Sequence, residues 1–346
     1  MCPPPCPGAA PYDARIADIA PFAAGAFAEL LATPWAADVL GALNGMPVVV
    51  VDTADDAAVP PLGSLPVVVV AIGHTADPLA DPLCAEADVA LAADEEAALA
   101  DLVERIAATP IASTSMAVLL RASTRLDVDE ALGAESAVYS ALQAGAEFVG
   151  WRESRPRRDQ PEDPSPAVRV EWRGSDLHLT LDRPARRNAY SVAMREALIG
   201  GLQLADASTA RIVLHGAGPS FCSGGDLDEF GTRPDPGTAH LIRLGRSAAR
   251  LVHVLRDRVE VELHGWCVGA GIELPAFAAT VRAAPDTRIA LPELAFGLVP
   301  GAGGTVSLPR RIGRQRTNWL AMSGATLDAP TALGWGLVDE LDEGSG

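Results

Sequence analysis

One carboxylate stands out because of the residues around it. Glu273 lies in the apolar stretch HGWCVGAGIELPAF, residues 264–277, where a buried helix is predicted to start. An unpaired buried carboxylate typically costs several kcal/mol, so a purely structural role is hard to reconcile with this position. Just before it, Gly269, Ala270 and Gly271 allow a ligand close to the backbone, and N–H groups at a helix start lack partners within the helix. The pattern predicts a carboxylate beside donors aimed at developing negative charge.

A second glycine-rich turn has the same character. The stretch GPSFCSGGDLDEF follows the run ARIVLHGAG, which predicts a buried strand. The stretch that carries Glu273 likewise follows an alternating run, RVEVELHG, which also predicts a strand. Ligand sites of open α/β sheets lie at the carboxyl ends of strands, so we expect the two loops to meet around one oxygen atom.

Strands and helices alternate in the second half of the chain. AVRVEWRGSDLHLTLD predicts a hairpin, and SVAMREALIGGLQLAD predicts a helix that Ser191 caps. TAHLIRLGRSAARLVHVLRD predicts one further helix, with an apolar face formed by Leu244, Ala248, Leu251 and Leu255. This order favours a βαβ architecture.

The first half combines strands and helices in another order. MPVVVVD and LPVVVVAIG predict buried parallel strands, and DEEAALADLVERIAATP predicts a helix. A second helical stretch, DEALGAESAVYSALQAGAEFVGWRES, carries an apolar side formed by Leu132, Val138, Leu142 and Val149. The charged, proline-rich segment that follows predicts a connector. We therefore divide the chain into an N-terminal region, 1–158, a linker, 159–166, and a core, 167–346.

Composition and charge exclude several classes of partner. With 45 acidic and 27 basic residues, the formal net charge of −18 repels nucleic-acid phosphates. An anionic ligand would therefore need local arginines or backbone N–H groups. The longest apolar runs fall short of the roughly 18–20 residues of a membrane-spanning helix. Since no export-signal pattern is present either, we expect no membrane partner and a cytoplasmic location.

Cysteines, histidines and the remaining glycine turn indicate no metal or nucleotide. The cysteines, at positions 2, 6, 84, 222 and 267, are odd in number and lack zinc-site spacing, so we expect reduced thiols. The six histidines include no pair at metal-ligand spacing. PGAGGT resembles a phosphate loop, but no Gly-Lys-Ser/Thr follows it, and we interpret it as a tight turn that supports Glu293.

Four motifs together carry a family resemblance. They are, in chain order, LDRPARRNAYS, VLHGAGPSFCSGGDLDEF, HGWCVGAGIELPAF and LPELAFGLVPGAGGTVSLPRRIG. Their order and spacing resemble the crotonase, or enoyl-CoA hydratase/isomerase, superfamily over roughly residues 166–340. The resemblance implies an α/β fold with a crotonase-like ββα spiral core that binds an acyl-CoA thioester. The strands and helices predicted in the first half add an α/β to α-helical region to this core. It also implies a homo-oligomer, a trimer or hexamer.

The resemblance also implies roles for individual residues. Gly225 and Ala270 match the two backbone donors that hold the thioester oxygen, and Glu273 and Glu293 match two catalytic glutamates. Glu293 follows Glu273 by 20 residues, the spacing of the hydratases. The loop that lines the coenzyme A nucleotide in the family here contains Arg183, Arg186 and Arg187. Read alone, Glu293 after Pro292 is equally compatible with ordinary helix-start chemistry.

The paired glutamates favour hydration of a 2-enoyl-CoA. Water adds at C3 and a proton at C2, while negative charge passes through an enolate on the thioester oxygen. Two carboxyl groups can serve one water if one is charged and the other protonated. We assign Glu273 mainly to deprotonating the water and Glu293 mainly to protonating C2. The substrate itself would carry coenzyme A, and we expect no further cofactor.

The chain departs from the family pattern in two places. Pro275 and Thr280 replace residues of the family's usual ELALACD run, and a kinked helix is expected there. The sequence also ends soon after GWGLVDELDEG, where relatives continue with helices that close the site. Residues 95–152 resemble that tail, so we expect them to supply the closing helices, with Trp151 or Arg152 near the coenzyme A nucleotide. A degenerate second crotonase copy or a separate interaction domain is the alternative.

Two classes of function remain open at this point. The first is an enoyl-CoA hydratase-like lyase of fatty acid metabolism, with isomerase, dehydratase or thioesterase chemistry as variants at the same site. The second is a non-catalytic crotonase-like protein that binds coenzyme A or acts as a scaffold, which Pro275, Thr280 and the unusual first half would fit.

Overall fold

A computed structural model describes residues 20–55, 57–75, 77–156, 158, 165–206, 210–232 and 235–342. Contacts divide the chain into two compact units, residues 1–118 and 119–346. Cys2, Cys6 and linker residues 159–164 lie outside the described part. The described cysteines are buried free thiols: Cys84, Cys222 and Cys267.

The first unit is built on a parallel sheet. Its strands run in the order β1 Phe22–Ala23, β2 Val48–Asp52, β3 Val68–Gly73 and β4 Val89–Ala92. The valine runs of β2 and β3 pair in parallel and are almost wholly buried, which confirms the predicted strands. The helices of this unit are α1 Ala24–Leu31, α2 Ala36–Val39, α3 Pro82–Glu86 and α4 Glu96–Ala108. The division between the units falls within α5, Pro110–Ser123.

The second unit contains two sheets. The larger sheet uses β5 Val168–Arg173, β6 Asp176–Leu181, β7 Ile212–Gly216, β8 Val259–Leu263, β10 Thr280–Ala283 and β13 Glu340–Leu341, in the order β13-β10-β8-β7-β6-β5. The smaller sheet uses β9 Trp266–Val268, β11 Arg288–Ala290 and β12 Leu327–Asp328. β5 and β6 form the predicted antiparallel hairpin, and β6, β7 and β8 pair in parallel as a βαβ architecture requires.

Eight helices of the second unit complete the described fold. They are α6 Val128–Gln143, α7 Ala146–Ser154, α8 Val192–Asp206, α9 Pro236–Gly245, α10 Ala248–Val254, α11 Ala270–Glu273, α12 Gly304–Ser323 and α13 Ala329–Trp335. Ser191 accepts a hydrogen bond from the Met194 N–H at 3.2 Å, so its predicted capping role at α8 is confirmed. The α12 span includes a kink at Gly313, whose φ is 79°.

Two predicted helices are each broken in the structure. The stretch expected to form one helix through Leu244 and Leu255 is divided into α9 and α10, because the Ser247 side chain accepts the Arg250 N–H and starts a new helix. Leu244 is consequently exposed rather than part of a continuous apolar face. The stretch 129–154 likewise breaks before Ala146, where Gly145 adopts an extended conformation.

The buried side of α6 is not the apolar side expected from its sequence. Val149 on α7 is exposed and Leu132 and Val138 are only partly buried, although Leu142 is buried. The residues that α6 buries are Ala131, Glu135, Ser136, Tyr139, Ser140 and Leu142. The helix therefore presents a largely polar face to the interior of the unit.

The helices α6 and α7 belong to the same compact unit as the sheets that follow them. We predicted a division at residue 158, whereas contacts divide the chain after Val118. The physical reason is burial: the Ser123 hydroxyl donates to the Thr305 carbonyl at 2.9 Å, and a methyl group at Gly297 would lie 2.6 Å from the Phe148 nitrogen. Because of these contacts, α6 and α7 pack in one unit with the residues around Gly297 and Thr305.

Pro275 ends the short helix α11 without disturbing its first turn. The α-helix ends at Glu273, and a 3₁₀ turn, Pro275–Phe277, begins where the proline cannot donate a hydrogen bond. Thr280 opens β10 and pairs with Glu260 of β8. Both departures from the family pattern thus fit regular local structure.

Within the described ranges, no single helix has the length and apolar composition needed to cross a membrane. The pair α4 and α5 reaches that length and composition only when the two are taken together, and they are bent by 105°.

Asn188 joins two loops next to the sheet. It has a left-handed φ of 54° and no exposed surface. Its Nδ2 donates to the carbonyls of Ala217, Ser220 and Phe221 at 2.8, 2.9 and 3.1 Å, and its Oδ1 accepts the Arg183 N–H at 2.8 Å. One side chain thus fixes the turn that leads into the second glycine-rich loop.

We predict that Asn188→Ala lowers the free energy of unfolding by at least about 3 kcal/mol. The change leaves several buried backbone groups without partners and places alanine at a left-handed φ. Chemical denaturation measures the loss. Asn44→Ala, at an exposed residue with one backbone hydrogen bond, is the control and should cost less than about 1 kcal/mol. Equal losses in the two variants would contradict this role.

Candidate active site

The two glycine-rich loops meet, as the sequence predicts. The Cys222 N–H donates to the Trp266 carbonyl at 3.1 Å, and the Val268 N–H donates to the Cys222 carbonyl at 2.9 Å. Gly271 lies so close to the first loop that a methyl group there would be 2.5 Å from the Cys222 oxygen. Glycine is therefore required at 271 for the loops to approach, at the carboxyl ends of β7 and β8.

Gly225 and Ala270 bring backbone donors to one cavity. Both residues line it, and in the described part of the chain neither N–H has a hydrogen-bond acceptor. Ala270 is the first residue of α11, and the left-handed φ of 49° at Gly269 turns the chain into that helix. The arrangement leaves both N–H groups available to a ligand oxygen, and their role as donors to a thioester oxygen stays a prediction.

Glu273 and Glu293 face the same point. A methyl group on Gly269 would lie 2.2 Å from Glu293 Oε1 and 3.6 Å from Glu273 Oε1, so these oxygens are at most 5.8 Å apart. Both carboxyl groups are buried and line the cavity. A single water molecule could contact both.

The two carboxyl groups have unequal environments. Glu273 Oε2 accepts the N–H groups of Ala302 at 2.7 Å and Gly304 at 2.9 Å. Glu293 Oε2 is buried and has no hydrogen-bond partner within the described residues. Burial raises the pKa of Glu273 to about 7, against these two hydrogen bonds. Burial and the charge of Glu273 raise the pKa of Glu293 well above its usual value, so Glu293 holds its proton more readily.

A third buried carboxyl group, Glu135, was missed in the sequence. Its Oε1 accepts the Gly303 N–H at 2.8 Å, and its Oε2 accepts the Thr305 N–H at 3.0 Å and the Thr305 hydroxyl at 2.7 Å. Burial, and then the charge of Glu273, raise the pKa of Glu135 to about 8, although the hydrogen bonds oppose the shift. The available signal was a polar stripe at helical spacing, formed by Glu135, Ser136, Tyr139 and Ser140.

The four backbone N–H groups at the start of α12 thus donate alternately to two carboxyl groups. Ala302 and Gly304 donate to Glu273, whereas Gly303 and Thr305 donate to Glu135. These groups lack partners within the helix and carry the positive end of its dipole. We call residues 302–305 the donor ladder. The turn predicted to support Glu293 therefore holds Glu273 and Glu135 instead.

The cavity beside these groups has a volume of about 690 Å³. The helices α6 and α7 contribute to its lining through Glu135, Tyr139, Phe148 and Arg152. Phe148 stacks on Trp151, which also contacts Phe296 with ring centroids 4.8 Å apart. The helices α6 and α7 consequently form one wall of the site.

The arginines expected near coenzyme A lie in different surroundings. Arg152 lines the cavity, and its Nη1 donates to the Arg155 carbonyl. Arg183, Arg186 and Arg187 are absent from the cavity lining. Arg183 donates to the Pro166 carbonyl, and Arg186 forms an ion pair with the buried Asp226 at 2.5 Å. A phosphate at Arg186 would compete with that carboxylate, and coenzyme A contacts by these arginines stay a prediction.

Among the residues that the structure describes, no group of three or more His, Cys, Asp and Glu side chains could hold a metal ion. His264 Nε2 lies 3.0 Å from the Gly218 carbonyl, and the His215 side chain pairs with Glu262. These histidines have local structural partners.

Glu293→Gln should change how stability depends on pH. Because the folded pKa of Glu293 is raised above the unfolded value, its favourable contribution is present below about pH 4.3 and is lost as pH rises toward the folded pKa. We expect the wild type to lose stability relative to Glu293→Gln by roughly 1 kcal/mol per pH unit between pH 5 and 7. Denaturant titrations measure it. If the free energies of unfolding of wild type and Glu293→Gln changed with pH in parallel, the pKa of Glu293 would not be raised in the folded state.

Glu135→Gln should loosen the donor ladder. A glutamine cannot accept at both positions, so the Gly303 or Thr305 N–H loses its acceptor, at about 1–3 kcal/mol. Hydrogen exchange of the amides of residues 302–305 should accelerate. Asp129→Asn, at an exposed residue of the same helix, should leave that exchange unchanged. Equal protection in wild type and Glu135→Gln would contradict the ladder.

Comparison with known proteins supplies the family. Residues 174–343 match the family model described as enoyl-CoA hydratase/isomerase. The chain is 34% identical over 180 residues to enoyl-CoA isomerase/hydratase fer4 of Mycosarcoma maydis, covering 49% of this chain and 65% of that protein. It is 34% identical over 167 residues to 2,3-dehydroadipyl-CoA hydratase of Escherichia coli (strain K12), covering 48% and 65%.

The chain thus spans slightly less than two thirds of the length of these curated relatives. The crystal structure of enoyl-CoA hydratase from Thermoplasma volcanium GSS1 shares 35% identity, with 51% of this chain and 72% of that chain covered and a TM-score of 0.48. Residues 174–343, which match the family model, contain both glycine-rich loops, Glu273, Glu293 and the donor ladder. Through residues 174–343, the chain belongs to the enoyl-CoA hydratase/isomerase family, the crotonase superfamily.

Proposed function

We propose that this protein is a hydratase that adds water across the 2,3 double bond of a 2-enoyl-CoA thioester. One observation carries the proposal: two buried carboxyl groups of unequal proton affinity face one point, beside two backbone N–H groups with no acceptor in the described chain. One cavity thus contains donors that could bind a thioester oxygen and carboxyl groups that could transfer protons.

The backbone donors would stabilise the charge that develops during the reaction. The N–H groups of Gly225 and Ala270 would donate to the thioester oxygen, which becomes an enolate oxygen when water attacks C3. Ala270 opens α11, so the partial positive charge of a helix start adds to its hydrogen bond. Both donors are fixed before the substrate arrives, because the loops that carry them are bonded to each other.

The carboxyl groups would divide the proton transfers. Glu273, ionised and held by the donor ladder, takes a proton from the water whose oxygen bonds to C3. Glu293, which is buried and protonated and whose Oε2 has no partner among the described residues, gives its proton to C2 as the enolate collapses. Each cycle ends with the proton on Glu273 instead of Glu293. The short distance between the two groups lets it return before the next turnover.

The substrate would bring its own coenzyme A, and the chemistry calls for no further cofactor. Arg152 is our candidate for contact with the nucleotide, and Arg183, Arg186 and Arg187 are secondary candidates. A homo-oligomer, a trimer or hexamer, and a cytoplasmic location complete the proposal. A role in fatty acid metabolism would follow if simple 2-enoyl esters are accepted.

Isomerisation of the double bond at the same site is the second candidate. It needs the same enolate and the same proton carriers, and the relative from Mycosarcoma maydis has a name that covers both reactions. A non-catalytic role has less support, because Pro275 and Thr280 leave Glu273 and the donors in place.

Purified protein mixed with crotonyl-CoA should remove the enoyl thioester absorbance. Glu273→Gln and Glu293→Gln should each lower kcat by about 100-fold or more, because each loses one proton transfer. Glu262→Gln, on β8 and outside the cavity lining, should retain full activity. Turnover of a 3-enoyl-CoA but not of crotonyl-CoA would favour isomerisation. No turnover of either ester would contradict both.

A further inference from the structure

Arg243 holds a charge in the cavity that none of the reaction steps above uses. It lies on α9, lines the cavity and is half-buried. Its Nε donates to the Ser136 hydroxyl at 3.1 Å, its Nη2 donates to the Ser140 hydroxyl, and its Cζ lies 4.7 Å from the centre of the Tyr139 ring. All three contacts are with uncharged groups of α6.

The other arginines of the cavity differ in this respect. Arg195 and Arg246 both pair with Glu196, and Arg250 pairs with Asp129 at 2.9 Å. Within the described ranges, Arg243 has no carboxylate within ion-pair distance, and its Nη1 makes no hydrogen bond. Arg152 on α7 is similarly unpaired with acid, but Arg152 is our candidate for the nucleotide end. A half-buried guanidinium without an anion is an unfavourable arrangement unless a ligand supplies the anion.

Tyr139 relates Arg243 to the reacting groups. One face of its ring lies against the guanidinium, and its edge lies so close to Gly301 that a methyl group there would be 2.4 Å from Cδ2. Gly301 directly precedes the donor ladder, which holds Glu273. Tyr139 therefore contacts both Arg243 and the loop that positions the catalytic carboxylate. Ala270, Tyr139 and Arg243 line the same cavity, so an acyl group held at Ala270 shares that cavity with the guanidinium.

We propose that Arg243 binds a carboxylate at the far end of the acyl group, so that the preferred substrates are CoA monoesters of short dicarboxylic acids. The inference rests on the proposed function, because it assumes that a CoA thioester occupies this cavity. The guanidinium is already oriented by two hydroxyls and one ring, and its Nη1 is left to donate to the ligand carboxylate. Burial also lowers the pKa of Arg243, a penalty that a bound anion would relieve.

The competing explanation is that the positive charge of Arg243 only balances the negative charge of the buried carboxyl groups. Glu135 is the acid whose charge acts most strongly on Arg243 after Tyr139, although the two are not within ion-pair distance. If Arg243 only balanced Glu135, its removal would alter the titration of Glu135 but would not alter the choice between acyl groups. The two explanations therefore differ in a binding measurement.

The test compares saturated esters, which cannot be hydrated. Isothermal titration calorimetry at pH 7.5 would measure Kd for the CoA monoesters of C4 to C8 dicarboxylic acids and for the matching monocarboxylic esters. We expect at least one dicarboxylic ester to bind about 10-fold tighter than its monocarboxylic match, as one charge-assisted hydrogen bond allows. Arg243→Met should abolish that preference and leave binding of the monocarboxylic esters within about twofold, which also shows that the variant is folded.

Arg256→Met is the control, since Arg256 is exposed and outside the cavity lining. It should keep the preference. The proposal is overturned if no dicarboxylic ester is preferred by the wild type, or if the preference survives Arg243→Met. Binding of both classes without any turnover of enoyl esters would contradict the hydratase function while the selectivity result still stands by itself.

Discussion

The site depends on one set of hydrogen bonds, in which the donor ladder at the start of α12 donates alternately to Glu273 and Glu135. Four consecutive backbone N–H groups need acceptors, and two carboxyl groups, one from α11 and one from α6, supply them. Gly303 gives the turn its shape through a φ of 106°, and the absence of a side chain at Gly304 leaves room for Glu273. The position of the proposed base is thereby coupled to a helix, α6, that lies far away in the sequence.

Burial of three carboxyl groups lowers the stability of the folded protein and raises their affinity for protons. Three carboxyl groups are buried close together, and burial raises the pKa of each. The charge of Glu273 raises the pKa of Glu135 and Glu293 further. The ladder offsets part of that penalty for Glu273 and Glu135 but not for Glu293. Among the described residues, Glu293 Oε2 has no hydrogen-bond partner, whereas Glu273 Oε2 has two. The two glutamates therefore differ in proton affinity through their hydrogen bonds, although they are the same residue type.

The sequence predicted the parts of the site that glycine marks. Gly225, Ala270 and Glu273 are adjacent to turns that only glycine permits, and those turns follow strands whose burial is evident from their composition. Glu135 and Arg243 have no such local marker. Their helices were interpreted by apolar periodicity, yet α6 buries a polar face, and the break at Ser247 that orients α9 depends on a single cap. A cavity inside the protein reverses the usual relation between burial and polarity, which periodicity cannot reveal.

The order of the chain is a separate question from the construction of the site. The helices α6 and α7 precede the strands whose loops they cover, yet their contacts with the core are non-covalent: Glu135 with the ladder, Phe148 against Gly297, and Tyr139 against Gly301. Such contacts need only a connection long enough to reach, and the entropic cost of loop closure grows slowly with length. A helix pair with the same side chains would therefore build the same wall from either side of the core sequence. What the chain must conserve is the fit of these side chains to the loop of residues 297–305.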